Sequence, residues 1–99
     1  MEEHEIDELS RIFFYEFNRG EYEVFRLEVL NRKIKTNQQR IEQAQKIMWN
    51  KNEVLLAKII NLLEKNRLDL VKEIFTRAHR LYRQKEMNEF IGMDRDFGE

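Results

Sequence analysis

The sequence predicts an all-α fold, a small three- to four-helix antiparallel bundle with short loops, and three observations carry that reading. The chain has no proline and only three glycines (Gly20, Gly92, Gly98), too few tight-turn residues for a sandwich or barrel of short strands. Its charged fraction of 37% is rich in the helix formers Glu, Lys and Arg. Its apolar residues recur at spacings of three and four, the period of a helix with one buried face.

Residues about 3–18 read as a first helix. Ile6, Leu9, Phe13 and Phe17 form one stripe, widened by Ile12 and Phe14. Carboxylates crowd the first turns, where they suit the positive end of the helix dipole. Asn18-Arg19-Gly20 is expected to stop it, with Gly20 in the left-handed conformation after the last turn. Residues 21–35 read as a second helix whose apolar arc holds Tyr22, Phe25, Leu27, Val29, Leu30 and Ile34, with Val24 outside it. The alternation of Glu21-Tyr22-Glu23-Val24 leaves an extended segment over 21–30, paired across a dimer, as the alternative. Thr36 or Asn37 can cap a third stretch, along which Ile41, Ala44, Met48, Leu55, Ile59 and Leu62 continue the stripe. Trp49–Glu53 is either a bend with Asn52 capping a new helix or a continuous helix with a polar residue in its seam. Asn66 can end this stretch and Asp69 can cap the last helix, about 69–90, with Val71, Ile74, Phe75, Ala78, Leu81 and Tyr82 on one face. Gly92 is expected to end it. One helical domain over 1–92 and a mobile acidic polar tail over 93–99 follow.

The segment Leu62–Leu81 resembles one turn-and-helix of a tetratricopeptide-type repeat, with Asn66, Val71, Phe75 and Ala78 at the marker positions. Such repeats usually carry Gly and Ala where this chain has Asn66 and Val71. No second copy occurs, and an array needs about three. The resemblance covers about twenty residues and is read as helical-hairpin packing.

Charge is sorted along the chain. Residues 1–30 carry nine carboxylates against Arg11, Arg19 and Arg26, net −6; residues 31–85 carry fourteen Lys/Arg against five carboxylates, net +9; residues 86–99 carry five carboxylates against Arg95, net −4. The overall −1 conceals poles that can pair within one chain or between chains. There is no cysteine, hence no disulfide framework, thiolate nucleophile or Cys-ligated zinc, which fits a cytoplasmic protein. The start Met1-Glu2-Glu3-His4-Glu5 is the opposite of a basic signal peptide, and the longest apolar run is the four residues Val54–Ala57, far short of a membrane span.

Catalytic and metal chemistry lack their parts. The chain has one serine (Ser10), no glycine-rich phosphate loop, and carboxylates set in exposed acidic stretches instead of apolar pockets. His4 and Glu8 lie one helical turn apart but have no second ligand pair, and His79 sits among Arg77, Arg80 and Arg83. The expectation is a non-enzymatic chain without metal, cofactor or small-molecule substrate.

Two surfaces remain. Phe13, Phe14, Tyr15, Phe17, Tyr22 and Phe25 fall within thirteen residues, and consecutive aromatics lie about 100° apart on a helix. Some must face a second surface, which is either the chain's own bundle or a dimer interface. The acidic residues among them disfavour an anionic membrane. The other surface is basic: Arg32, Lys33, Lys35 and Arg40, then Lys51, Lys58 and Lys65 every seven residues, then Arg77, Arg80 and Arg83 every three. It could meet nucleic-acid phosphates, or it is an ordinary solvated face. The preferred reading is a helical interaction module, a homodimer through the aromatic N-terminal region or a binder of another protein. Chains of this type are common among phage, viral and mobile-element accessory proteins. Nucleic-acid binding through the 31–85 surface is the alternative.

Overall fold

The computed structural model describes the backbone of residues 1–98 and the side chains of residues 1–88. It is all-helical, in the order α1 (Glu3–Glu16), α2 (Arg19–Glu28), α3 (Asn37–Met48), α4 (Glu53–Glu64) and α5 (Leu68–Gly98). Among the described residues there are thus five helices, not three or four. The extra one arises at Asn18. Phe17 is extended at φ −113°, ψ 132°, and Asn18 opens α2 through a reciprocal capping box. Its Oδ1 accepts the Glu21 N–H at 2.8 Å, and its own N–H donates to Glu21 Oε1 at 3.0 Å. Two of the orphan donors at a helix start are satisfied this way. Gly20 therefore lies inside α2, and no described glycine has positive φ. The expected glycine stop at that position is corrected.

The second helix is also shorter than the expected 21–35. From Val29 to Thr36 the chain is irregular, and no strand occurs among the described residues, which removes the extended alternative for 21–30. Local hydrogen bonding explains the stop. Asn31 Oδ1 accepts the Lys33 N–H at 2.9 Å, an alternative to the helical ladder. The Arg40 guanidinium reaches back from α3 to the Val29 carbonyl, and its Nη2 donates to the Ile34 carbonyl at 3.1 Å. An arginine at the α2 C-terminus satisfies an orphan carbonyl and suits the negative end of the dipole. Leu27, expected on the apolar arc, is exposed, whereas Tyr22, Phe25 and Val29 are buried and Val24 faces out as expected.

Thr36 caps α3, its Oγ1 accepting the Gln39 N–H at 3.2 Å. Of the two possibilities at 49–53, the bend is present. Asn52 Oδ1 accepts from the N–H groups of Val54 and Leu55 at 2.9 and 3.1 Å, and α4 starts there. Asn66 ends the hairpin in the left-handed conformation at φ 58°, a region that Asn tolerates better than most residues. Asp69 does not cap α5 but lies in its first turn, paired with Arg67 at 3.0 Å. Gly92 does not end α5, whose backbone continues to Gly98. A lone glycine costs a helix only about 1 kcal/mol, and no proline follows to enforce a stop. The side chains of the expected 93–99 tail lie outside the described residues.

α1 packs along α5, α3 along α4 and α2 against α3, while α4 also touches α5 and α1. The expected stripes supply one core. Ile6, Leu9, Phe13 and Phe17 meet Ile74, Phe75, Ala78 and Tyr82, while Ile41, Ala44, Met48, Leu55, Ile59 and Leu62 close the other side.

Candidate interaction surface

Phe13 is fully buried and anchors the aromatic cluster. It stacks on Phe17 at 4.2 Å between ring centroids and meets Phe25 and Phe75 edge-on at 5.1 and 6.0 Å. Tyr22 stacks on Phe75 at 4.0 Å. Four of the six aromatics expected at an interface, Phe13, Phe17, Tyr22 and Phe25, are thus the chain's own core, and their assignment to a contact surface is corrected. The cause is the Phe17–Asn18 break, which folds α2 back so that both aromatic faces share one interior. Phe14 is half-buried, and Tyr15 is 82% exposed. Phe14 meets Tyr15 edge-on at 5.6 Å on one side and Tyr82 at 4.9 Å on the other.

These residues open onto a groove of about 700 Å3 between the α1–α2 corner and α5. Phe14, Phe17 and Tyr82 form its aromatic floor, and Tyr15 stands on its rim. The Tyr82 hydroxyl is held by donating to the Phe17 carbonyl, which the break in the chain leaves free of a helical partner. Burial pushes the Tyr82 phenol up to about 12 and raises that of Tyr22 as well. The Arg19 guanidinium lies 5.4 Å from the Tyr22 ring centre and 5.8 Å from that of Tyr82, with Glu86 at 3.5 Å from its Nε. Glu16 and Lys85 also line the groove, and neither makes an ion pair among the described residues.

The basic surface is partly dismantled by the fold. Arg40 is buried against backbone carbonyls, where desolvation lowers its pKa, and it presents no charge to a ligand. Lys51 pairs with Glu21 at 2.6 Å and lies 5.3 Å from the centre of the Phe17 ring. Glu21 is held below the ordinary carboxylate value, first by the Asn18 N–H and then by Lys51. Lys58 pairs with Glu5 at 3.1 Å. Arg77 gathers Glu3, Asp7 and Glu73 at 2.8, 2.6 and 2.9 Å, and those bonds raise its pKa. The seven-residue spacing of Lys51, Lys58 and Lys65 is not one helical stripe, because Lys51 precedes α4 and Lys65 is its C-terminal cap. Arg32, Lys33, Lys35, Lys65, Arg80 and Arg83 remain exposed without an ion pair among the described residues.

The acidic head therefore pairs with the basic middle inside one chain. His4 lies 3.2 Å from Glu2 on the surface, and His79 stacks on Tyr22 at 5.7 Å. Among the described residues no group of His, Asp and Glu is placed to hold a metal ion, and no helix is long and apolar enough to cross a membrane. The buried Ser10 hydroxyl donates to the Ile6 carbonyl at 2.7 Å, a local helix bond.

Sequence reasoning missed Tyr82, Arg19, Glu16 and Lys85 as groove residues, since nothing local marks their approach. Trp49, 81% exposed at the end of α3, was likewise not singled out as a surface aromatic. No family model matches this chain, and searches of curated proteins and of solved structures return no match.

Proposed function

We propose that this chain is a non-enzymatic helical-bundle interaction module that self-associates as a homodimer through the N-terminal aromatic region. The surface is narrower than the six aromatics of the sequence reading: it is Phe14 and Tyr15 beside the α1–α5 groove. The observation that carries the reading is Tyr15. With Trp49 it is one of the two most exposed large apolar side chains among the described residues, and it is set directly against a half-buried Phe14 on the rim of an aromatic groove. Tyrosine supplies a large contact area with few torsions to freeze and is enriched at contact surfaces. Sedimentation equilibrium of the wild type and Tyr15→Ser at about 10–100 μM tests it. A dimer that becomes monomeric in the variant is the expected outcome; a wild-type monomer across that range ends the reading.

A second reading rests on the cations Arg32, Lys33 and Lys35 in the segment between α2 and α3, with Arg80 and Arg83 on α5, none of which makes an ion pair among the described residues. These could meet nucleic-acid phosphates. Binding to mixed-sequence duplex and single strands at 50 and 200 mM salt measures it, with Lys33→Glu and Lys35→Glu as the variants. Retention at low salt that those substitutions do not weaken counts against it.

A further inference from the structure

The groove that Tyr15 borders carries both halves of a self-complementary contact. In a two-fold dimer one patch must meet its own copy, so it has to present a projection and a recess together. Tyr15 is the projection, and the Phe14–Phe17–Tyr82 floor is the recess. The rim is complementary in charge as well. Glu16, on the α1–α2 side, and Lys85, on α5, have opposite signs, line the same groove and have no ion-pair partner among the described residues. The other rim charges are already engaged: Arg19 with Glu86, and Glu21 with Lys51.

Glu16 is also in a place that the isolated chain does not favour. It is the last residue of α1, whose final turn carries no basic residue. A carboxylate there faces the negative end of the helix dipole and works against the helix. No ion pair among the described residues compensates it, whereas a cation from a second chain would.

From these observations we infer that two copies dock isologously over this groove, each Tyr15 entering the recess of the other and each Glu16 pairing with Lys85 of the opposite copy. This rests on the homodimer reading and adds the arrangement within it. The contact occurs twice by symmetry, so a single sign change creates two like-charge contacts, and reversing both residues restores two attractive ones.

The test is a charge-reversal cycle, Glu16→Lys, Lys85→Glu and the double variant, followed by sedimentation equilibrium at 50 and 300 mM salt. Circular dichroism checks each variant's fold. Glu16→Lys suits the end of α1 and Lys85 is exposed, so neither substitution threatens the monomer. Each single variant is expected to raise the dimer dissociation constant at least tenfold at low salt, less so at high salt. The double variant is expected to return to within about threefold of wild type. A wild-type dimer that neither single variant weakens, or a double variant as weak as the singles, overturns the docking arrangement and leaves the dimer standing. A wild-type monomer throughout overturns the dimer and the arrangement together.

Discussion

Arg40 is a buried cation with no carboxylate partner among the described residues. It is 7% exposed and bonded to the carbonyls of Val29 and Ile34. A planar fork can serve two carbonyls at fixed directions, and an ammonium serves them less well. Arg40→Leu should leave both acceptors unsatisfied and cost about 1–3 kcal/mol in urea unfolding, with Arg40→Lys recovering only part of it. An undiminished unfolding midpoint in Arg40→Leu would contradict the clamp. The aromatic hydroxyls set a second residue-scale expectation. Burial pushes the Tyr82 phenol up to about 12, above its ordinary value of 10.0, and raises that of Tyr22 too. Folding therefore favours the protonated phenols. Their contribution is complete below pH 10 and is lost as pH rises through the folded values. Glu21 behaves oppositely: its lowered pKa contributes stability above its ordinary value of 4.5 that is lost on acidification below it. Thermal melts from pH 3 to 11 should fall off on both sides, and Tyr82→Phe should flatten the alkaline limb at a cost of about 0.5–1.5 kcal/mol for the lost bond.

At the scale of elements, chain direction turns on caps that the sequence displays but does not rank. Asn18-Arg19-Gly20 contains a glycine stop and an asparagine start in three residues. The capping box prevails because Glu21 stands three residues after Asn18 and returns its bond, whereas Gly20 alone offers only conformational freedom. Asn18→Ala should destabilise the protein by about 1 kcal/mol. Gly20→Ala should stabilise it by about 0.5 kcal/mol, since a methyl group there meets only Asn18 Oδ1 at 3.4 Å. Denaturant midpoints moving in opposite directions would verify both; a loss of stability in Gly20→Ala would contradict the helical placement of that residue. Periodicity located the buried stripes on α1, α3, α4 and α5 well, because each records a helix face against one interior. It failed at Leu27, since α2 ends one residue later and the helical arc has no continuation there. It could not reveal the groove, whose floor joins Phe14 and Tyr82, far apart in sequence.

Across the whole molecule, the sorted charge of the sequence is an instruction for closing the chain on itself. Glu3 and Asp7 from α1 meet Arg77 on α5, Glu5 meets Lys58 on α4, and Glu21 from α2 meets Lys51 before α4. The positive and negative blocks thus face each other between elements that the hydrophobic stripes bring into contact. Exposed ion pairs are individually weak, but Arg77 serves three carboxylates at once and joins the N-terminal segment to α5. Arg80, one turn farther along, makes none of these bonds among the described residues. The two arginines looked equivalent in the sequence because a three-residue repeat tells nothing about which helix lies opposite. Reversing the charge separates them. Arg77→Glu would set four carboxylates against one another and should lower the melting temperature measurably, by more at 20 mM than at 500 mM salt. Arg80→Glu should leave it nearly unchanged at either salt. Equal effects from the two substitutions would mean that overall charge balance, and not the network at Arg77, is what ties the acidic head to the rest of the fold.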